Sequence, residues 1–134
     1  MASPNIVGVQ TIRAYTSQFT PSTTNATLWS TGNGASLNIV PATNIVHKIG
    51  FLSAANVTNA AATITVAVNS LANGLGTSTR LVYQVVVPAG ATLVILDKTT
   101  ALYLTDSQSI VVTSGTMSAI ELVASFEAIS DTSF

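Results

Sequence analysis

The chain is 134 residues long, with no cysteine and a net charge of -1 from four basic and five acidic side chains. Charged residues make up 7% of it, against about 25% in a typical soluble domain, and Ser, Thr and Asn take their place. A chain this size buries roughly two thirds of its unfolded surface, so one packed domain is possible, while disulfides and thiolate metal sites are excluded.

Residues 1–25 read as an extended N-terminal arm with room for one strand, closing in a Thr/Ser/Pro run around Pro21. Its apolar residues Ile6, Val7, Val9 and Ile12, with the aromatic Tyr15 and Phe19, fit neither a clean strand nor a helix stripe. They are the candidate contacts to a neighbouring subunit or a capsid surface, by adding a strand or filling a groove; the alternative is an edge strand of the same domain. Residues 26–134 are expected to form the main domain.

Residues 26–30 and 35–40 flank Asn33-Gly34, a pair that tolerates positive φ and signals a hairpin. In residues 44–54, Ile45, His47, Ile49 and Phe51 alternate with Val46, Lys48, Gly50 and Leu52, the period of a strand. A turn is expected at 55–59, and TITVAVN (63–69) follows with Ile64, Val66 and Val68 inward. SLANGLGTS (70–78) reads as a mobile exposed loop.

The stretch 78–104 reads as the organising piece: a strand to Val87, a corner at Pro88-Ala89-Gly90, and a return strand over 91–96 paired as a hairpin. After a turn near Asp106, residues 109–113 and 119–129 complete the strands. In the last run Ile120, Leu122, Ala124 and Phe126 alternate with Glu121, Val123, Ser125 and Glu127, which places the two glutamates on the solvent face. Seven to nine short strands with regular turns predict an all-β antiparallel β-sandwich or jelly roll.

No set of side chains assembles a reaction centre. His47 is the single histidine and cannot alone build a metal site or triad. Glu121 and Glu127 stand about 20 Å apart along one strand, too far for paired-carboxylate chemistry, and Asp97 and Asp106 read as turn caps. The expectation is a protein without enzymatic activity or cofactor. Arg13, Lys48, Arg80 and Lys98 stand singly, which argues against nucleic-acid binding. Apolar runs fall far short of the roughly 20 residues of a spanning helix, and MASPNIVGVQ lacks the basic start and apolar core of a signal peptide. Asn25-Ala26-Thr27 and Asn56-Val57-Thr58 match the glycosylation pattern by chance, and Trp29, Tyr83 and Tyr103 are expected in or near the core.

From residue 45 onward, FLSAANVTNAAATITVAV, a glycine-containing loop, LVYQVVVPAGATLVILDKTTALYLTDSQSIVVTSG and the closing AIELVASFEAIS resemble the small β-sandwich virion proteins of tailed bacteriophages, including capsid decoration or cement proteins. The resemblance covers about two thirds of the chain, carries no catalytic motif and leaves the arm out. It implies a structural subunit, often a homotrimer, made in the host cytoplasm and seated on the outer capsid surface, where it clamps the major capsid protein. The alternative it leaves open is a tail, fibre or baseplate module that binds host surface glycan or another tail protein.

Overall fold

In the computed structural model, residues 9–21, 26–29, 45–71, 74–105 and 108–131 are described. Among them are nine strands and no α-helix: β1 (Val9–Phe19), β2 (Ala26–Trp29), β3 (Ile45–Asn56), β4 (Ala62–Asn69), β5 (Ser78–Val87), β6 (Thr92–Leu96), β7 (Leu102–Leu104), β8 (Ser109–Ser114) and β9 (Ile120–Asp131). The β-branched and alternating runs thus become strands, including 119–129.

Two sheets form. Sheet A has the order β1-β9-β3-β6, with β7 also on β3, and sheet B the order β2-β8-β4-β5. All pairings are antiparallel. Strands β6 and β7 lie end to end along one side of β3, Leu96 opposite Leu52 and Leu102 opposite Ile49, so they are one strand interrupted by the excursion 97–101. Counted so, the first strand pairs the last (β1·β9), the second the seventh (β2·β8), the third the sixth (β3·β6/β7), and the fourth the fifth (β4·β5). That nested ladder, folded over into two packed sheets, is a jelly roll.

The core lies between the sheets. Ile49, Leu52, Leu122 and Phe126 of sheet A meet Ile64, Val66, Ile110 and Val112 of sheet B, with Leu104 and Ile120 at the ends. In β9 the expected inward set, Ile120, Leu122, Ala124 and Phe126, is buried, and Glu121 and Glu127 are exposed. In β3 the alternation breaks. Gly50 is the extra residue of a bulge between Ile49 (opposite Phe126) and Phe51 (opposite Ser125), so His47 and Ile49 face inward before it and Leu52 and Ala54 after it. A bulge shifts every later side chain to the other face.

The hairpin expected over 78–96 is corrected. β5 belongs to sheet B and β6 to sheet A, and the chain crosses between sheets at Pro88. Ala91 N donates to Pro88 O at 3.0 Å and Gly90 has φ +69°, a turn with its positive φ at the third position. Turns of that kind splay flanking strands rather than matching their twist, and Pro88 has no amide hydrogen to carry the ladder on. Nor is β5 central: it is the outer strand of sheet B, mostly exposed.

Two buried asparagines hold the ends of β4. Asn56 donates to Ala60 O (2.8 Å) and Val87 O (2.9 Å) and accepts from Thr58 N (2.9 Å), tying β3, the turn and the end of β5 together. Asn69 accepts from Leu71 N and Gly76 N and donates to Gly76 O and Ser78 Oγ. The loop expected to be free is further tied at both sides of residues 72–73: the buried Ser109 hydroxyl donates to Leu71 O (2.7 Å) and accepts from Gly74 N (3.0 Å).

Candidate interaction surface

Within segment 1–25, residues 9–19 run as β1 at the edge of sheet A, paired along their length with β9. Ile6 and Val7 lie outside the described residues, and of Val9 only its backbone place, opposite Asp131, is described. Ile12 is 58% exposed and Tyr15 44%. Tyr15 sits opposite Phe126 in the register and stacks on it, ring centroids 5.3 Å apart. Phe19 is half-buried against the core and borders an open cavity of about 470 Å³ shared with Gln18, Glu121 and Val123. One strand therefore carries Ile12, Tyr15 and Phe19, but its pleat divides them: Tyr15 and Phe19 lie on the inner face, Ile12 on the outer.

The outer face of sheet A is a mosaic of apolar and hydroxyl side chains. Val123 of β9, Ser53 of β3 and Val94 of β6 stand in one register row, with Gln18 of β1 beyond. Phe51 lies in the next row opposite Ser125, and Phe51, Val94 and Val123 are all exposed. Two rows on, Ala14, Glu127, Lys48 and Tyr103 cross β1, β9, β3 and β7. Beside them a cavity of about 170 Å³, lined by Lys48, Lys98 and Glu127, opens where the Gly50 bulge leaves no side chain. Spaced apolar groups among hydroxyls, with few charges to desolvate, make a surface suited to broad protein contact.

The aromatic expectation is corrected on two counts. Tyr83 is 60% exposed and Tyr103 51%; the Trp29 side chain lies outside the described residues. Both tyrosines stand on outer strands, β5 and β7, where one side of the strand has no neighbouring strand among the described residues. Between Ile64–Val85 and Val66–Val82 the β5 register slips, leaving Tyr83 and Gln84 as a bulge. Gln84 has φ +48°, its amide donates to Thr65 Oγ1 at 2.9 Å, and the Arg80 guanidinium lies 5.2 Å from the Tyr83 ring centroid.

The titratable residues take structural places. His47 is 4% exposed, its ring 4.9 Å from that of Phe126, and its Nδ1 has no hydrogen-bond partner among the described residues. Burial disfavours the imidazolium and lowers its pKa from 6.5 to about 4, as removal of a cation from water does. Asp97 closes the 97–101 excursion as a cap. Its carboxylate accepts from the Thr99 hydroxyl and amide and from the Thr100 hydroxyl, the first of which does most to hold its pKa below the usual carboxylate value. Asp106 lies outside the described residues. Asn56 is buried with its amide engaged, which leaves the Asn56-Val57-Thr58 pattern no accessible acceptor; Asn25 lies outside the described residues. Among the described residues no three His, Asp or Glu side chains group as metal ligands.

No protein-family model matches the chain, and no curated protein matches it. Among solved structures, it is similar to one described by the words "Bacillus endospore appendages form a novel family of disulfide-linked pili", at 12% identity, 98% coverage of both chains and a TM-score of 0.47. It is also similar to a chain of infectious bursal disease virus, Gx strain, at 12% identity and a TM-score of 0.35, covering 91% of this chain and 38% of that one.

Proposed function

We propose that this protein is a structural virion subunit of the capsid decoration type, one that binds the outside of a shell of major capsid protein and stabilises it. The observation that supports the reading is the outer face of sheet A, where Phe51, Val94, Val123 and Tyr103 are exposed on a rigid sheet among hydroxyl side chains. Around Phe51, Val94 and Val123 such a face docks with little charge to desolvate, Lys48 and Glu127 standing two rows away, and burial of unpaired charge is the costly term in protein association. Shape match to a repeating surface then sets specificity, and copies linked to one another gain avidity from weak single contacts.

The reading is tested by adding purified protein to shells that lack it. The expected result is saturable binding at a fixed ratio to the shell protein and a higher temperature of shell opening, with affinity weakened at least tenfold and the temperature gain lost in Phe51→Glu with Val94→Glu. Shells that neither bind the protein nor gain stability overturn the reading.

One observation favours a second reading, a tail or fibre module that holds host glycan. Tyr83, exposed on the β5 bulge with Arg80 beside it, offers the flat aromatic face that a sugar ring stacks on. Binding of host-surface oligosaccharide lost in Tyr83→Ala selects this reading over the first.

A further inference from the structure

Every open sheet is bounded by edge strands, and an edge presents unpaired amides and carbonyls to any strand that fits. Among the described residues, three of the four edges here carry features that block such pairing. β2 shifts register between Thr27 and Trp29. β5 slips register twice against β4, with Gln84 in the left-handed region and its amide already bound to Thr65. The β6/β7 edge is cut by the 97–101 excursion, pinned by Asp97.

The fourth edge, β1, has a single register shift at its very start, between Val9 and Thr11, and none of these features beyond it. From Thr11 to Phe19 it keeps an unbroken register with β9, has no proline, and carries Arg13 as its one charge. No described strand pairs with its outer side, and residues 12–16 are all exposed. Tyr15 is the midpoint of this regular run. Its ring continues a row that starts at Leu102 and passes through Ile49 and Phe126, and it stays 44% exposed at the end of that row.

We infer that β1 is a pairing edge for β1 of a second copy of this chain, antiparallel across a two-fold axis at Tyr15, joining two A sheets into one continuous sheet. The strand is complementary to itself in that register. Tyr15 meets Tyr15 of the other copy and covers its open side, extending the aromatic row, while cross-strand aromatic pairs are favourable contacts. Ala14 falls opposite Thr16, Arg13 opposite Ser17, Ile12 opposite Gln18 and Thr11 opposite Phe19, so no like charges oppose. The inner face of one sheet continues into the inner face of the next. A strand pair of this length spans about 30 Å and buries less than the roughly 800 Å² per partner of a standard interface, so the isolated dimer is weak and gains strength where copies are already held side by side. The pairing is two-fold, unlike the trimer that the sequence resemblance implies. It deepens the proposed function by naming how copies join, and it is measured on the isolated protein, apart from any shell.

Sedimentation of the full chain is compared with A14K/T16K and A14K/T16E up to about 1 mM, the weak end of specific association. The register sets Lys opposite Lys in the first variant and Lys opposite Glu twice in the second. The expected result is a concentration-dependent dimer in the parent, association weakened at least tenfold in A14K/T16K, and recovery in A14K/T16E. As a second measurement, Tyr15→Cys introduces the single thiol of a chain that otherwise has no cysteine; paired Cα atoms about 4.5 to 5.5 Å apart suit a disulfide, so oxidation is expected to give a covalent dimer. A parent that stays monomeric throughout, or equal self-association in both charge variants, overturns the inference, and so does failure of the thiol to cross-link. Loss of shell binding with the dimer intact counts against the proposed function alone.

Discussion

His47 and Asn56 are the residues whose environment makes the sharpest demands. His47 is neutral when folded because its ring lies between the sheets beside Phe126, so the unfolded chain takes up the proton first. Its contribution to stability is therefore complete above pH 6.5 and lost as pH falls toward about 4; that interval corresponds to about 3 kcal/mol. Urea midpoints measured between pH 7 and 4 are expected to fall with pH in the parent and to fall less, by about that amount, in His47→Leu. Equal pH slopes in the two proteins contradict this. Asn56→Ala leaves Val87 O and Thr58 N without their side-chain partner, while Ala60 O keeps the Thr58 hydroxyl, and is expected to cost about 2–3 kcal/mol, whereas Asn59→Ala, on the exposed side of the same turn, is expected to change stability by less than about 0.5 kcal/mol. Chemical denaturation with an unchanged m value separates the two.

At the level of elements, the strands follow from period and composition, while their partners depend on backbone detail that the period does not carry. β9 reads correctly because its alternation runs unbroken, Ile120, Leu122, Ala124 and Phe126 going inward; in β4 Ile64 and Val66 go inward as expected, but Val68 is only half-buried and Ala67 is buried. β3 and β5 read less well because bulges at Gly50 and at Tyr83-Gln84 change the face part-way along. Gln84 gives no local sign that it takes a positive φ, since glycine or asparagine is the usual occupant there. Gln84→Gly is accordingly expected to stabilise by up to about 1 kcal/mol, and Gln84→Val to destabilise by about 1 kcal/mol or more, both read from thermal unfolding. The Pro88-Ala89-Gly90 corner was legible as a turn, but a turn signal does not say whether the chain returns to the same sheet. That choice follows from the turn type and from Val87, which is buried at the crossing. Gly90→Val, which forces a β-branched residue to φ +69°, is expected to cost more than about 1 kcal/mol and to leave the β4·β5 pairing protected from hydrogen exchange longer than β3·β6.

Over the whole molecule, a charge-poor sequence becomes a jelly roll whose core uses Ile, Leu and Val from both sheets and whose surface keeps tyrosine, valine and phenylalanine in view. The poverty of charge was plain in the sequence; the place where apolar groups gather was not, because it depends on register. Val123, Ser53 and Val94 come from strands far apart in the chain and meet only when β9, β3 and β6 lie side by side. Likewise the run 9–19 looked ambiguous between arm and edge strand until β9 stood beside it. The central claim is that the protein acts by covering a repeating shell, and counting copies in an image reconstruction of the parent particle tests it most directly. The account predicts a β-sandwich at every equivalent position of the outer shell, with sheet A toward the capsid. Density confined to a few copies at the tail, or absent from the particle, contradicts it.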